Sequence, residues 1–129
     1  MEMKLELVPI PVTDIDRAKA FYAQVGFVED VDVQPVEGVR VVQLTPPGSS
    51  CSIGVGTGLP AFGAAPGSVR ALHLVVADIA QARAELIQRG IEVAEIEDVG
   101  GGIKYAPFSD PDGNTLTLQE MAWRTGDNF

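Results

Sequence analysis

The chain has 129 residues, 46% hydrophobic and 21% charged, which suits one ordinary globular domain and is too short for two. Nine basic residues against eighteen acidic ones give a formal charge of −9, so no nucleic acid and no anionic membrane surface is expected as a partner. No apolar run approaches the roughly 20 residues of a membrane span, the start MEMKLEL lacks a signal-peptide core, and the lone Cys51 forms no internal disulfide; a cytoplasmic location is the expectation.

In chain order, Val8, Ile10 and Val12 mark one face of a first strand. Asp14 then stands where a helix N-cap belongs, and Ile15, Ala18, Phe21, Tyr22 and Val25 follow at helical spacing. Gly26 falls just past the last turn, where a left-handed residue is wanted. Residues 27–33, 39–45 and 50–55 have β character. The stretch 56–69, GTGLPAFGAAPGSV, keeps neither period and reads as a linker. The pattern then restarts. Leu72, Leu74 and Val76 mark a strand, Asp78 an N-cap, Ile79, Ala82 and Leu86 a helix ending before Gly90, and 91–96, 104–108 and 115–120 further strands. Asp112-Gly113 signals a hairpin before the last of them.

The restart is a duplication. A shift of 64 residues superimposes Val12 on Val76, Asp14 on Asp78, Ile15 on Ile79, Ala18 on Ala82, Ala20 on Ala84, Gln24 on Gln88 and Gly26 on Gly90. It also carries Arg40 onto Lys104. The predicted organisation is one domain, 1–129, with a first module at about 5–55, a linker at 56–69, a second module at about 70–120 and a tail at 121–129. Each module reads βαβββ, an α+β class. Alternation places Leu7, Pro9, Val41, Gln43, Thr45, Ala71, His73, Val75, Thr115, Thr117 and Gln119 on the strand faces away from the helices. Mostly small or apolar with a few polar groups, that set has the make-up of a small-molecule cavity.

The segments VTDIDRAKAFY…GF and DPDGNTLTLQE resemble the two landmark motifs of the glyoxalase/bleomycin-resistance/dioxygenase (vicinal oxygen chelate) superfamily, over about residues 5–120. The resemblance implies paired βαβββ modules forming a cupped, incomplete barrel, often as a homodimer. It implies a range of functions from metal-dependent enzymes to antibiotic-sequestering proteins, so fold leaves function open. Metal-dependent members place ligands at four strand positions, which motif matching puts at Leu7, Gln43, Ala71 and Thr117. None is a His, Asp, Glu or Cys, and Leu and Ala cannot hold a cation. No metal and no cofactor is therefore expected.

His73 is the one histidine and the candidate catalytic residue, as a general base or as a hydrogen-bonding anchor; the alternative is an imidazole satisfied by a backbone carbonyl or by Gln43 or Thr117. The expected ligand-binding residues are Leu7, Val41, Gln43, Ala71, His73, Val75 and Thr117. Gln43, His73 and Thr117 would orient a small-molecule ligand, and the others would wall it. A lyase, isomerase or cyclase acting through His73 stays open, as does a divergent metal-dependent glyoxalase- or dioxygenase-like enzyme. Cys51 reads as incidental, Asp110 and Asp112 as turn residues, and Phe62 and Trp123 either as aromatic lids or as dimer contacts.

Overall fold

A computed structural model describes all residues, 1–129. Two units emerge, Met1–Ser68 with Asp110–Asn114, and Val69–Ser109 with Thr115–Phe129. The first holds strand β1 (Leu7–Pro9), helix α1 (Ile15–Val25), β2 (Val28–Val36), β3 (Val39–Thr45) and β4 (Ser52–Thr57), followed by a 3₁₀ turn at Pro60–Phe62. The second holds β5 (Leu72–Val75), α2 (Ile79–Gln88), β6 (Glu97–Gly100), β7 (Ile103–Ser109) and β8 (Thr115–Met121). The βαβββ order thus occurs twice. The sheets share one topology, β1-β4-β3-β2 and β5-β8-β7-β6, in which the first strand of each module runs parallel to the last and the other pairs are antiparallel. No helix is long and apolar enough to cross a membrane.

Helix starts follow the sequence reading closely. The Asp14 carboxylate accepts the Arg17 N–H at 3.0 Å, and Asp78 accepts that of Gln81 at 3.0 Å, satisfying donors that a first turn leaves orphaned. Gly26 ends α1 at φ 118°, returning its N–H to the carbonyls of Tyr22 and Ala23; a Cβ would resist that conformation. The second helix gains a further partner, because Glu120 Oε1 on β8 accepts the Ile79 N–H at 3.0 Å.

Each core lies between helix and sheet. Val42 and Leu44 of β3 and Val55 of β4 are fully buried with Tyr22 and Ala18 of α1; Leu116, Leu118 and Phe108 form the counterpart with Ile79 and Leu86. The turn Asp110–Asn114 packs in the first unit. Asp110 Oδ2 accepts the Tyr22 hydroxyl at 2.9 Å and the Asn114 amide at 2.8 Å, and that amide also reaches the Pro11 carbonyl at 2.8 Å. Asp112 Oδ1 accepts the Thr13 hydroxyl at 2.7 Å and Arg17 at 3.2 Å. Asp110 and Asp112 are thus structural, as their turn context suggests.

One predicted strand does not form. Residues 91–96 alternate as expected, with Ile91 and Val93 buried, yet the strand that follows α2 is Glu97–Gly100. The Ala94 N–H reaches the Pro107 carbonyl of β7 at 2.9 Å, but the Arg83 guanidinium takes the carbonyls of Ala94 at 2.8 Å and Val93 at 3.2 Å, so the segment meets β7 without forming a ladder. Apolar alternation records burial and says nothing of pairing.

Candidate functional site

In the first unit, Val42 and Leu44 lie under α1, so Val41, Gln43 and Thr45 point to the helix-free face. Register brings Leu7 beside Ser52 and Val41 beside Gly56. Glycines at 54 and 56 strip β4 of bulk, and neighbours fill the space. Leu7 lies against Gly54, where a Cβ would stand 3.0 Å from its Cδ1. Phe62, from the 3₁₀ turn, lies over Gly56 so closely that a Cβ would fall 2.5 Å from its ring. Phe62 is therefore an aromatic cover on this face.

Beside these apolar groups runs a polar chain with one direction of proton donation. The Gln43 amide donates to Glu6 Oε2 at 3.2 Å and Ser52 Oγ at 3.1 Å, Ser52 and Thr45 share a hydroxyl contact of 2.6 Å, and the Thr45 hydroxyl donates to Asp30. With its amide protons spent, Gln43 has its carbonyl oxygen left for a ligand. Sequence reading missed Glu6, Asp30 and Ser52. Ser52 and Gly54 were legible in principle, because extending the alternation to β4 puts both on the face of Leu7 and Gln43.

In the second unit, His73 pairs with Thr117 and Val75 with Gln119 across β5 and β8, and Tyr105 and Pro107 of β7 adjoin Gln119 and Thr117. These side chains share a face. His73 is exposed and Thr117 buried. The imidazole stands edge-on to Tyr105, centroids 5.3 Å apart and planes at 87°, and its Nδ1 lies 2.5 Å from the Ala71 carbonyl. That is the backbone-carbonyl contact that the sequence allowed. Tyr105 is a residue the sequence reading missed.

Ala71 requires a correction. It precedes β5, at φ 57°, so strand alternation does not reach it. Its N–H bonds to Thr115 Oγ1 at 2.7 Å, outside the ladder.

The four ligand positions also require one. Pro9 pairs with Gly54 as His73 pairs with Thr117, and 9 and 73 are equivalent under the 64-residue shift. Thr117 therefore corresponds to Gly54, whereas Gln43, the partner of Gly54, corresponds to Pro107, the partner of Thr117. Motif matching put one position on β3 and its mate on β8 because strand pairing is invisible to it.

The family model described as Glyoxalase/Bleomycin resistance protein/Dioxygenase superfamily matches residues 4–118. The chain belongs to this superfamily. Among solved structures, this superfamily member is similar to TnmS3, an antibiotic binding protein from Streptomyces sp. CB03234, at 35% identity over 93% of this chain and 97% of that one, with a TM-score of 0.80. It is likewise similar to a glyoxalase/bleomycin resistance protein from the same Streptomyces, at 36% identity, 89% and 98% coverage and a TM-score of 0.74. A third likeness is to a superfamily member from Sphaerobacter thermophilus DSM 20745, at 31% identity, 92% and 98% coverage and a TM-score of 0.79. No curated protein matches the chain. In this superfamily member the helix-free face of each sheet carries mostly apolar side chains beside a few hydrogen-bonding groups.

Proposed function

We propose that this superfamily member binds a small, largely apolar organic molecule on the helix-free faces of its sheets, as an antibiotic-binding protein, and uses neither metal nor cofactor. The observation that carries the reading is the likeness to TnmS3 at 35% identity over nearly the whole of both chains. Donor chemistry supports it. Leu7, Ala71 and Gly54 have no metal-binding side-chain atom, Gln43 and Thr117 offer only neutral oxygens, and no three His, Cys, Asp or Glu side chains converge. The residues present do not fit a divalent ion. In this reading Leu7, Val41 and Gln43 meet a ligand on the face of the first unit and His73, Val75 and Thr117 on that of the second, while Ala71, outside β5, serves through its carbonyl on His73. A homodimer belongs to the reading, supported by the exposed Val28, Val33 and Val36 along the edge strand β2.

Calorimetric titration against a panel of apolar, hydroxylated natural-product antibiotics tests it. A saturating ligand is expected, weakened roughly tenfold by His73→Ala and abolished by Val75→Trp, which fills the face. A ligand indifferent to both changes binds elsewhere and sinks the assignment of the site. Elemental analysis of untagged protein is expected to find less than one transition metal per dimer; stoichiometric metal lost with His73 would overturn the metal-free reading.

A second reading has an observation of its own. A carbonyl at Nδ1 leaves Nε2 of neutral His73 as the basic nitrogen, which suits a lyase, isomerase or cyclase. Turnover of a bound compound, lost with His73→Ala, would decide for it.

A further inference from the structure

We propose that His73 is held in one tautomer as a hydrogen-bond acceptor, and that the molecule bound on this face carries an acidic hydroxyl, a phenol or an enol, that donates to its Nε2. The second half rests on the binding reading above; the first does not.

Three features meet at this imidazole. A carbonyl oxygen only accepts, so the 2.5 Å contact between Nδ1 and the Ala71 carbonyl puts the proton on Nδ1. In the neutral ring, Nε2 then carries the lone pair. The carbonyl is in place because Ala71 is left-handed at φ 57°, the one non-glycine residue in the chain with positive φ. A side-chain-bearing residue is disfavoured there, so its surroundings hold the turn. Thr115 does this, its hydroxyl oxygen receiving the Ala71 N–H at 2.7 Å while its own N–H bonds to the Val69 carbonyl at 3.0 Å. Tyr105, edge-on at 5.3 Å, fixes the plane of the ring.

An exposed histidine needs none of this to be soluble. Strained backbone, a hydroxyl holding the strain and an aromatic edge all act on one surface nitrogen, and what they jointly set is which nitrogen accepts. The ligand must therefore bring the donor. The nearest groups on the face are Tyr105 by contact and Val75, Thr117 and Pro107 by register, none of them charged, so a neutral donor on a flat apolar frame suits the site better than an ammonium. Ala71, Thr115 and Tyr105 are positioning residues, and His73 touches the ligand.

As the one histidine, His73 can be read directly in the ¹⁵N-histidine-labelled protein by two-bond ¹H–¹⁵N correlation at about pH 8.5, where a typical histidine is neutral. The expected result is a protonated Nδ1 and a pyridine-like Nε2, with Thr115→Val shifting the ring toward the opposite tautomer. A wild-type ring protonated on Nε2, or a Thr115→Val protein with the wild-type pattern, would overturn the lock. The second arm, at the same pH, compares phenol, whose hydroxyl keeps its proton there, with anisole, which has none. The phenol is expected to bind roughly tenfold tighter, to move the Nε2 resonance, and to lose its advantage in His73→Phe, which keeps a flat ring. Equal binding with an unmoved Nε2 would refute the hydroxyl assignment and leave the binding reading standing. If neither compound binds at millimolar concentration, the phenol class is wrong, and the antibiotic panel then decides the binding reading separately.

Discussion

Tyr22 brings a hydroxyl to a position with no solvent exposure, and Asp110, 88 residues away, accepts its proton at 2.9 Å. Burial, and then the Asp110 carboxylate, push the phenol well above its usual range. The folded state thus keeps that proton more tightly than the unfolded one. Its contribution to stability is complete below the unfolded value of about 10 and declines as pH rises beyond it. Alkaline unfolding of wild type and Tyr22→Phe should show it, the variant having the flatter profile above about pH 10. At neutral pH Tyr22→Phe should cost about 1–3 kcal/mol in urea denaturation, because Asp110 loses a buried donor. The helical spacing made Tyr22 legible as core. Its partner was not legible, since spacing within one helix carries no information about a turn 88 residues on.

The helices were the most legible elements, because their signals are local. Asp14→Ala and Asp78→Ala should each cost about 0.5–2 kcal/mol, read by thermal or chemical denaturation. The second is expected to be the milder, since Glu120 also holds the start of α2. Between α1, β2 and β3 lies an ion network that alternation did not reveal. Asp32 accepts Arg40 Nε at 3.0 Å and Nη2 at 2.9 Å together with Lys19 at 2.8 Å, while Arg40 also meets Asp16 at 2.9 Å. Arg40, and then Lys19, hold the Asp32 carboxyl well below the usual carboxylate range. The unfolded state therefore takes up this proton first as pH falls. The stability involved is complete above the unfolded value of about 3.9 and is lost progressively below it. Asp32→Asn should flatten the acid limb of the stability–pH curve; an unchanged limb would show that solvent screens the network. On β4, Gly56→Ala should dislodge Phe62 and strain the β3–β4 pairing, since a Cβ would fall 2.5 Å from the ring and closer still to the Arg40 carbonyl oxygen. The strap that runs through Pro60–Phe62 is then expected to become more sensitive to limited proteolysis, and the chain less stable to denaturant. The opposite outcome, unchanged proteolysis, would mean that Phe62 is not what holds the strap down.

At the scale of the molecule, the two modules of the repeat are not two independent pieces of chain. Asp110–Asn114 belongs with residues 1–68, so a fragment of residues 1–68 lacks the acceptor of Tyr22 and the amide that holds Pro11. That fragment is expected to be largely unfolded at 25 °C by circular dichroism, while the whole chain melts cooperatively. The likenesses to superfamily structures over 89% or more of this chain apply to the chain as a whole for the same reason. What the sequence determined by itself was the duplication, both capped helices, the α+β class and the face to which Val41, Gln43 and Thr117 belong, since period, cap and repeat are properties of neighbouring residues. Only the tertiary structure decided that Gly54 corresponds to Thr117, that Arg83 takes the Val93 and Ala94 carbonyls, that Ala71 turns left-handed to aim its carbonyl at His73, and that Tyr105 braces the imidazole. Each of these depends on which distant groups meet, and hydrogen-bond partners chosen across the fold leave no period in the sequence.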